Sequence, residues 1–242
     1  MGRKHFILQL RQCASCGIKY RFPKDTPSTS TAYYQSAYAE PSVTELPTAP
    51  ELARLLQSDF RGSPFDKSDK ADLVADYVGS VEQTRLLDYG ASWGYFMAQL
   101  RNRGFRHIVG FEVSVRRAHF GRAALGLEIL TDEEDVRCRG PYEVICVAHV
   151  LEHLTEPARV LANLGRLLRR PGGMLHIWTP NASRAALDRW HGGTWSPLVG
   201  EPHTLAYDYA FFERALPQFG LRIRERGPES EPELRIVAEA AS

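Results

Sequence analysis

Apolar and polar residues form two patterns along the chain, one typical of strands and one typical of helices, and from about residue 67 onward these patterns alternate. Short apolar runs such as "TRLLDYG" (84–90) and "YEVICVAHV" (142–150) are typical of buried strands. By contrast, "PARVLANLGRLLRR" (157–170) carries apolar residues at helical spacing and is followed by Pro and two Gly. This alternation predicts crossover units, and therefore an α/β fold with a doubly wound parallel sheet covered by helices.

The last two predicted strands differ from the others in how they are connected. "LRIRERG" (221–227) and "ELRIVAEA" (233–240) are separated only by "PESEP". Five residues are too few for a crossover helix, so the pair predicts an antiparallel hairpin at the sheet edge. The other predicted strands are "HIVGFEV", "GLEIL" and "MLHIWTP", and the other predicted helices are "DKADLVADYV", "GYFMAQLRNRG", "VRRAHFGRAAL" and "DYAFFERALPQFG".

The first 66 residues lack this regular order. A "CASCG" run at 13–17 marks an N-terminal segment over 1–30, and the stretch 31–66 is an irregular or helical connector rich in Pro, Ser, Thr and Tyr. One short helix is predicted there, in "PELARLLQSDF". The sheet domain then occupies 67–242.

Composition places the chain among soluble, folded proteins. Its 242 residues are 43% hydrophobic, and 30 basic against 29 acidic residues leave a formal charge of +1. That balance offers no global attraction to nucleic acid or to an anionic membrane. The longest apolar stretch is too short to span a bilayer, the N-terminus lacks a signal-peptide cleavage site, and four cysteines do not resemble a secreted disulfide framework. We therefore expect a cytoplasmic protein.

The stretch "LLDYGASWGYF" (86–96) joins a predicted strand to a helix through an acid and two glycines. Asp88 ends the apolar run, while Gly90 and Gly94 clear the backbone of side chains. Either this is a plain turn that needs positive φ, or it is a ligand loop at the switch point of the sheet. Glu112 ends the next strand, where an acceptor for ribose hydroxyls is expected.

The charge of this loop indicates which nucleotide ligand it suits. A dinucleotide fingerprint requires G-x-G-x-x-G, whereas this loop is G-x-x-x-G with Trp93 inside it. Asp88 would also place negative charge beside a pyrophosphate. A nicotinamide oxidoreductase is therefore disfavoured, and a cationic ligand with an ammonium and a sulfonium group is favoured.

Several motifs in order resemble class I S-adenosylmethionine-dependent methyltransferases. "LLDYGASWGYF" resembles their first motif, "GFEVS" resembles their second, and residues 142–181 resemble a branch with an HVLEH run and an RPGG turn. The resemblance covers the chain from about residue 67 to the end. It implies a Rossmann-like seven-stranded sheet with an antiparallel last strand, and methyl transfer from S-adenosyl-L-methionine to a small-molecule acceptor such as a sugar or secondary-metabolite intermediate.

The resemblance also implies roles for individual residues. Glu112 would hold the ribose and Asp132, in the acidic loop "TDEEDV", would lie near the adenine. His149 and Val150 would flank the reactive centre. The methionine part of the cofactor would be surrounded by Asp88, Gly90, Ala91, Ser92 and Gly94, of which Ser92 stands where the family usually has glycine.

Methyl transfer mainly requires that donor and acceptor be held in line, so a strong catalytic group is optional. If the acceptor is a hydroxyl, a histidine base would help near neutral pH, and the candidates are His149, His153 and His203. Alternatively, Glu152 and His153 only cap or pair near the following helix. His203 would then line or close the substrate side.

The segment after the fifth strand (181–209) is the candidate acceptor pocket, because it is rich in aromatic residues with polar residues between them. The alternative is that these aromatic residues only cover the sheet edge. The residues concerned are Trp190, Trp195, Tyr207 and Tyr209.

Cys13 and Cys16 have the spacing of a zinc knuckle, and "CASCGIKYRFP" resembles the knuckle that precedes some methyltransferases of this branch. A closed site needs four ligands, yet no second pair follows, and His5 would add only one. We favour a metal-free remnant over zinc bound within one chain, and that over zinc shared in a homodimer.

Three alternatives to methylation of a small molecule stay open. One is a non-catalytic partner protein that binds S-adenosylmethionine, and the other two are methyltransferases that act on nucleic acid or on protein. A nucleic-acid substrate is disfavoured because the chain is nearly neutral. Its arginine clusters are expected to be solvated helical surface: Arg101, Arg103 and Arg106; Arg116, Arg117 and Arg122; Arg166, Arg169 and Arg170.

Overall fold

The computed structural model describes residues 9–26, 28–29, 45–194, 198–199 and 203–241. In chain order the strands are β1 (Gln9–Gln12), β2 (Lys19–Phe22), β3 (Arg85–Tyr89), β4 (His107–Phe111), β5 (Glu128–Leu130), β6 (Val144–Ala148), β7 (Met174–Pro180), β8 (Leu205–Ala206), β9 (Leu221–Arg226) and β10 (Glu233–Ala240). The helices are α1 (Ala49–Gln57), α2 (Ser68–Asp76), α3 (Tyr95–Asn102), α4 (Val115–Leu125), α5 (Glu133–Arg139), α6 (Pro157–Leu167), α7 (Arg184–Trp190) and α8 (Tyr209–Ala215). Short 3-10 turns cover Leu151–His153 and Leu216–Phe219.

The centre of the structure is a seven-stranded sheet with the order β5-β4-β3-β6-β7-β10-β9. Strands β3 to β7 are parallel, and β10 runs antiparallel to both of its neighbours. This confirms the predicted α/β class, the doubly wound sheet and the antiparallel last strand. The chain builds outward from β3 to β5 and then returns to add β6 beside β3, so the switch point lies between β3 and β6.

Two apolar cores cover the two faces of the sheet. On one face, Leu87, Ile145 and Ile177 pack with α6 and α8. On the other face, Leu86 and Val144 pack with α2 and α3. Each fully buried leucine or isoleucine contributes about 2 kcal/mol of transfer free energy, so burial on both faces explains the continuous apolar runs of the strands.

The described part of the connector packs against the loop after β3. Phe60 and Phe65 surround the indole of Trp93, with ring centroids 6.0 and 5.0 Å away. Leu52 and Leu55 of α1 border the same cluster, which confirms the predicted helix. The connector therefore buttresses the loop that the sequence singles out.

A second sheet, which the sequence did not predict, joins the N-terminal segment to the late part of the chain. Strands β1 and β2 form a hairpin, and Tyr20 of β2 pairs with Leu205 of β8. Lys19 also binds Asp208 at 2.7 Å. Strands of two to four residues carry too little alternation to be recognised from sequence.

Two further local predictions are wrong. The acidic stretch predicted as a loop forms α5, because Asp132 caps its first turn and three acids complement the positive end of the helix. Arg117 is buried, although the sequence placed it on the solvated surface. Within the described ranges, no helix has the length and apolarity needed to cross a bilayer.

Candidate functional site

The loop after β3 turns tightly and adopts positive φ at three positions. Gly90 has φ +93°, Ser92 has φ +51° and Gly94 has φ +89°. A left-handed conformation costs a non-glycine residue about 1–2 kcal/mol. Ser92 therefore occupies a conformation that glycine adopts freely, at the position where related chains are expected to have glycine.

Two backbone amides of this loop donate to the end of the neighbouring strand β4. The N–H groups of Gly90 and Ala91 both donate to Phe111 O at 2.8 Å. Position 90 needs glycine because a Cβ there would lie 2.2 Å from Cγ2 of Val150. Because it has no side chain, Gly90 allows the loop to pack closely against the turn that follows β6.

Two buried acids meet at the carboxyl ends of β3 and β4. Asp88 is 3% exposed, and burial together with the charge of Glu112 raises its pKa to about 7. Glu112 accepts hydrogen bonds from Ser92 N (2.9 Å) and Ser114 N (2.7 Å). Burial raises the pKa of Glu112 as well, although these amides and the charge of Arg117 oppose the shift.

This acid pair fits the cofactor that the sequence implies. A ligand with an ammonium and a sulfonium group would offset the repulsion between Asp88 and Glu112. Each carboxylate oxygen of Glu112 keeps a lone pair for a ribose hydroxyl. Within the described residues, the buried Oγ of Ser92 has no hydrogen-bond partner. The residues present therefore suit S-adenosylmethionine.

Asp132 lies just beyond β5, at the same edge of the sheet. Its Oδ1 accepts a hydrogen bond from Glu134 N at 2.7 Å and so caps α5. A capping carboxylate keeps further acceptor capacity. Its contact with adenine stays a prediction.

His149 directly follows β6 and lies between two carboxylates. Its backbone has φ +54°, its Nδ1 is 3.2 Å from Oε1 of Glu152, and its Nε2 is 2.7 Å from Oε1 of Glu233. Burial lowers the pKa of His149, but these hydrogen bonds and charges outweigh it and raise the pKa to about 9. Near neutral pH the ring is an imidazolium that donates to both acids.

Lys70 extends this arrangement to four groups of alternating charge. Its Nζ is 2.6 Å from Oε2 of Glu233, and its side chain is only 7% exposed. Burial opposes ionisation of Glu233, yet His149 and Lys70 lower its pKa to about 2. We call Lys70, Glu233, His149 and Glu152 the charge chain.

Lys70 and Glu233 belong to the site but were not predicted from the sequence. They lie 163 residues apart, so no motif spacing connects them. One signal was available for Lys70, which lies one turn before Val74 on the apolar stripe of α2. A lysine on an apolar stripe indicates a buried partner.

The HVLEH turn and His203 come together beside the charge chain. Glu152 is 1% exposed, and its Oε2 accepts a hydrogen bond from Thr179 Oγ1 at 2.9 Å. Burial opposes ionisation of Glu152, but the hydrogen bond and charge of His149 lower its pKa overall. The rings of His153 and His203 lie 4.8 Å apart between centroids, nearly perpendicular to each other.

The aromatic residues predicted to line an acceptor pocket have other positions. Tyr207 and Tyr209 are core residues, 0% and 2% exposed, and Tyr207 OH donates to Leu151 O at 2.9 Å. Trp190 is 49% exposed, and its indole donates to Ser230 O. The pocket prediction is wrong for both tyrosines, and Trp195 lies outside the described residues.

Cys13 and Cys16 form the turn between β1 and β2. Gly17 has φ +77°, and its N–H donates to Cys13 O at 2.9 Å. Backbone amides of Cys16 and Ser15 lower the pKa of the Cys13 thiol. Both cysteines are free thiols, and His5 lies outside the described residues. Binding of zinc here stays a prediction.

Comparisons with known proteins agree with this geometry. Residues 45–226 match the family described as Methyltransferase domain. A ubiquinone biosynthesis O-methyltransferase from Aeromonas salmonicida is 28% identical over 125 residues, which are 48% of this chain and 52% of that protein. The chain thus spans about half the length of the curated relative that it matches.

Two solved structures share the fold. An S-adenosylmethionine-dependent methyltransferase from Mesorhizobium loti aligns with a TM-score of 0.56 at 16% identity, over 72% of this chain and 99% of that one. The magnesium protoporphyrin IX methyltransferase from Synechocystis, solved with bound S-adenosylmethionine, aligns with a TM-score of 0.57 at 16% identity, over 88% and 96%. The chain belongs to the methyltransferase domain family, and its fold is that of S-adenosylmethionine-dependent methyltransferases.

Proposed function

We propose that this protein transfers a methyl group from S-adenosyl-L-methionine to a small-molecule acceptor. The observation that carries the proposal is the buried pair of acids, Asp88 and Glu112, beside a loop of positive φ at the switch point of the sheet. Two like charges buried together need a cation, and the family supplies a cationic cofactor.

Each of the predicted residues would contact a different part of the cofactor. Glu112 holds the ribose, and Asp132 lies near the adenine. His149 and Val150 flank the reactive centre at the end of β6. The loop that surrounds the methionine part consists of Asp88, Gly90, Ala91, Ser92 and Gly94. When bound, the cofactor supplies an electrophilic methyl group, and the protein's main contribution is to hold the acceptor in line with it, which is worth about 7–11 kcal/mol.

The acceptor side would lie at the HVLEH turn. Methyl transfer to an oxygen is assisted by loss of its proton, and His149, His153 and His203 are the residues gathered there. Because His149 is held as an imidazolium, it suits charge stabilisation better than proton acceptance. The match to a ubiquinone biosynthesis O-methyltransferase supports a small organic acceptor that is methylated on oxygen.

The proposal is tested by calorimetric titration of S-adenosylhomocysteine and NAD into the purified full chain. S-adenosylhomocysteine should bind and NAD should not. Glu112→Gln removes the charged acceptor for the ribose hydroxyls and should weaken binding about 10- to 100-fold. Glu128→Gln, an exposed acid on the adjoining strand, is the matched control and should bind like wild type.

Turnover is then measured with labelled S-adenosylmethionine and a panel of hydroxylated small molecules. Binding of NAD alone would overturn the proposal in favour of an oxidoreductase. Tight binding of S-adenosylhomocysteine without any turnover, together with a stable complex with another protein, would overturn it in favour of a non-catalytic partner.

A further inference from the structure

We propose that Glu152, His153 and His203 bind a divalent transition-metal ion. One ligand atom from each residue lies within 4.8 Å of those of the other two. Within the described parts of the chain, these residues form the group of His, Cys, Asp and Glu side chains that meets the spacing of an ion site. The cysteine turn at Cys13 and Cys16 is a separate place in the fold.

The ligand types indicate which ions suit the site. Two imidazole nitrogens and one carboxylate oxygen favour ions such as Zn²⁺, Mn²⁺ or Fe²⁺, and two-histidine, one-carboxylate sites leave coordination positions open. Mg²⁺ and Ca²⁺ prefer oxygen ligands throughout. With one anionic ligand, the bound ion would keep a net positive charge, which suits an anionic oxygen as an additional ligand.

Backbone contacts hold the three ligands together before any ion binds. Glu152 and His153 are neighbours in the 3-10 turn at Leu151–His153. Thr204, next to His203, donates its N–H to Glu152 O at 2.8 Å, and its Oγ1 donates to the same oxygen at 3.3 Å. Two segments about fifty residues apart in sequence are thereby fixed to each other at the site.

A second layer of contacts orients the carboxylate. Oε2 of Glu152 accepts from Thr179 Oγ1, and Oε1 faces Nδ1 of His149. Metal-binding carboxylates are commonly held by such outer contacts, which keep them ready for the ion. In a tetrahedral site with bonds near 2.1 Å the ligand atoms lie about 3.4 Å apart, so rotation of the half-buried His153 and His203 side chains would complete the site.

The position of the site suggests what the ion does. The turn follows Val150 directly, and Val150 closely approaches Gly90 of the cofactor loop. An ion there would bind an acceptor hydroxyl and lower its pKa, replacing a histidine base. This role rests on the proposed methyl transfer, whereas metal binding itself does not.

The test begins with the full chain stripped by a chelator and dialysed. Zn²⁺ is titrated by calorimetry, and Co²⁺ is followed by its visible absorption. His203→Ala should weaken Zn²⁺ binding at least about 100-fold and abolish the Co²⁺ band, because a direct ligand is lost. His119→Ala, an exposed histidine on α4, is the matched control and should bind like wild type.

Two further arms separate this proposal from others. A Cys13→Ser, Cys16→Ser double variant should keep the Zn²⁺ site, and its loss there would overturn the assignment in favour of the cysteine turn. Unchanged Zn²⁺ binding in His203→Ala, or none in wild type, would overturn it too. S-adenosylhomocysteine binding is measured in every variant and should persist in His203→Ala. Failure of the metal site is therefore distinguishable from failure of the cofactor site.

Discussion

Two groups of buried charges lie at the same edge of the sheet, and they are built in opposite ways. At the carboxyl ends of β3 and β4, Asp88 and Glu112 are like charges, and the charge of Glu112 helps raise the pKa of Asp88 to about 7. Beyond β6 and β7, the charge chain alternates in sign, and the pKa of its member Glu233 falls to about 2. The pKa of a buried carboxyl group therefore rises or falls according to the charge of its neighbours.

The acid pair lacks a fully compensating positive charge, whereas the charges of the charge chain already balance one another. The repulsion in a like-charged pair is relieved by a bound cation or, without one, by a proton on one of the acids, so the pair behaves as a binding site. An alternating chain is satisfied internally, so it fixes the position of its members, His149 above all. The two places meet where Gly90 of the cofactor loop closely approaches Val150 of the HVLEH turn.

The largest effect is expected from breaking that contact. Gly90→Ala places a methyl group against Val150 in a left-handed conformation, which should lower the free energy of unfolding by about 2–5 kcal/mol. Adding Val150→Ala should recover the steric part but not the conformational part. Urea unfolding of both variants, with Val150→Ala alone as the control, measures this. Equal stability of Gly90→Ala and wild type would disprove the contact.

The second-largest effect on stability is expected from removing the charge of Lys70, the buried end of the charge chain. Lys70→Met keeps the apolar stem but leaves Glu233 with His149 as its remaining partner in the chain. Because Glu233 is partly exposed, the free energy of unfolding should fall by about 2 kcal/mol rather than the 3–5 kcal/mol of a fully buried pair. Lys24→Met, an exposed lysine, should change it little. A neutral effect of Lys70→Met would mean that the chain contributes no stability.

The acid pair predicts a pH dependence of cofactor binding. Asp88 without ligand titrates near pH 7, and a cationic ligand favours its ionised form. Free protein then holds more protons than the complex, so rising pH favours binding. The affinity for S-adenosylmethionine should rise up to about tenfold per pH unit between pH 5.5 and 6.5 and level off above about pH 7.5.

Calorimetry at four pH values measures this dependence, and repeating it in buffers with different ionisation enthalpies counts the released proton. Asp88→Asn should bind more weakly and lose the dependence over this range. An affinity of wild type that does not change with pH would show that Asp88 keeps its charge without the ligand.

The smallest effect concerns His149 itself. Glu233→Gln removes one of the two carboxylates that raise the pKa of His149, so this pKa should fall by about one unit from about 9. NMR titration of the imidazole in chelator-treated protein reports it directly. Glu231→Gln, at an exposed loop position nearby, should leave the pKa unchanged. If both variants behave alike, the contact with Glu233 does not determine the charge of His149.

Much of the fold was accessible from the sequence. The alternation of strands and helices, the acid that ends β3 and the short "PESEP" link each reflect interactions within a few residues. The candidate site was only partly accessible. Tyr207 was predicted to line the acceptor pocket, because the sequence around a tyrosine does not show whether the side chain faces a ligand or the core. The structure buries Tyr207 completely.

The sequence by itself determined the doubly wound sheet, its antiparallel last strand and the two acids at the ends of β3 and β4, because periodicity and turn residues act over short distances. Only the tertiary structure decided that Glu233 reaches His149 across 84 residues, that Lys70 is buried against it, and that Thr204 ties His203 to the HVLEH turn. The physical reason is that such contacts depend on which strand ends become neighbours. Spacing along the chain carries no record of that.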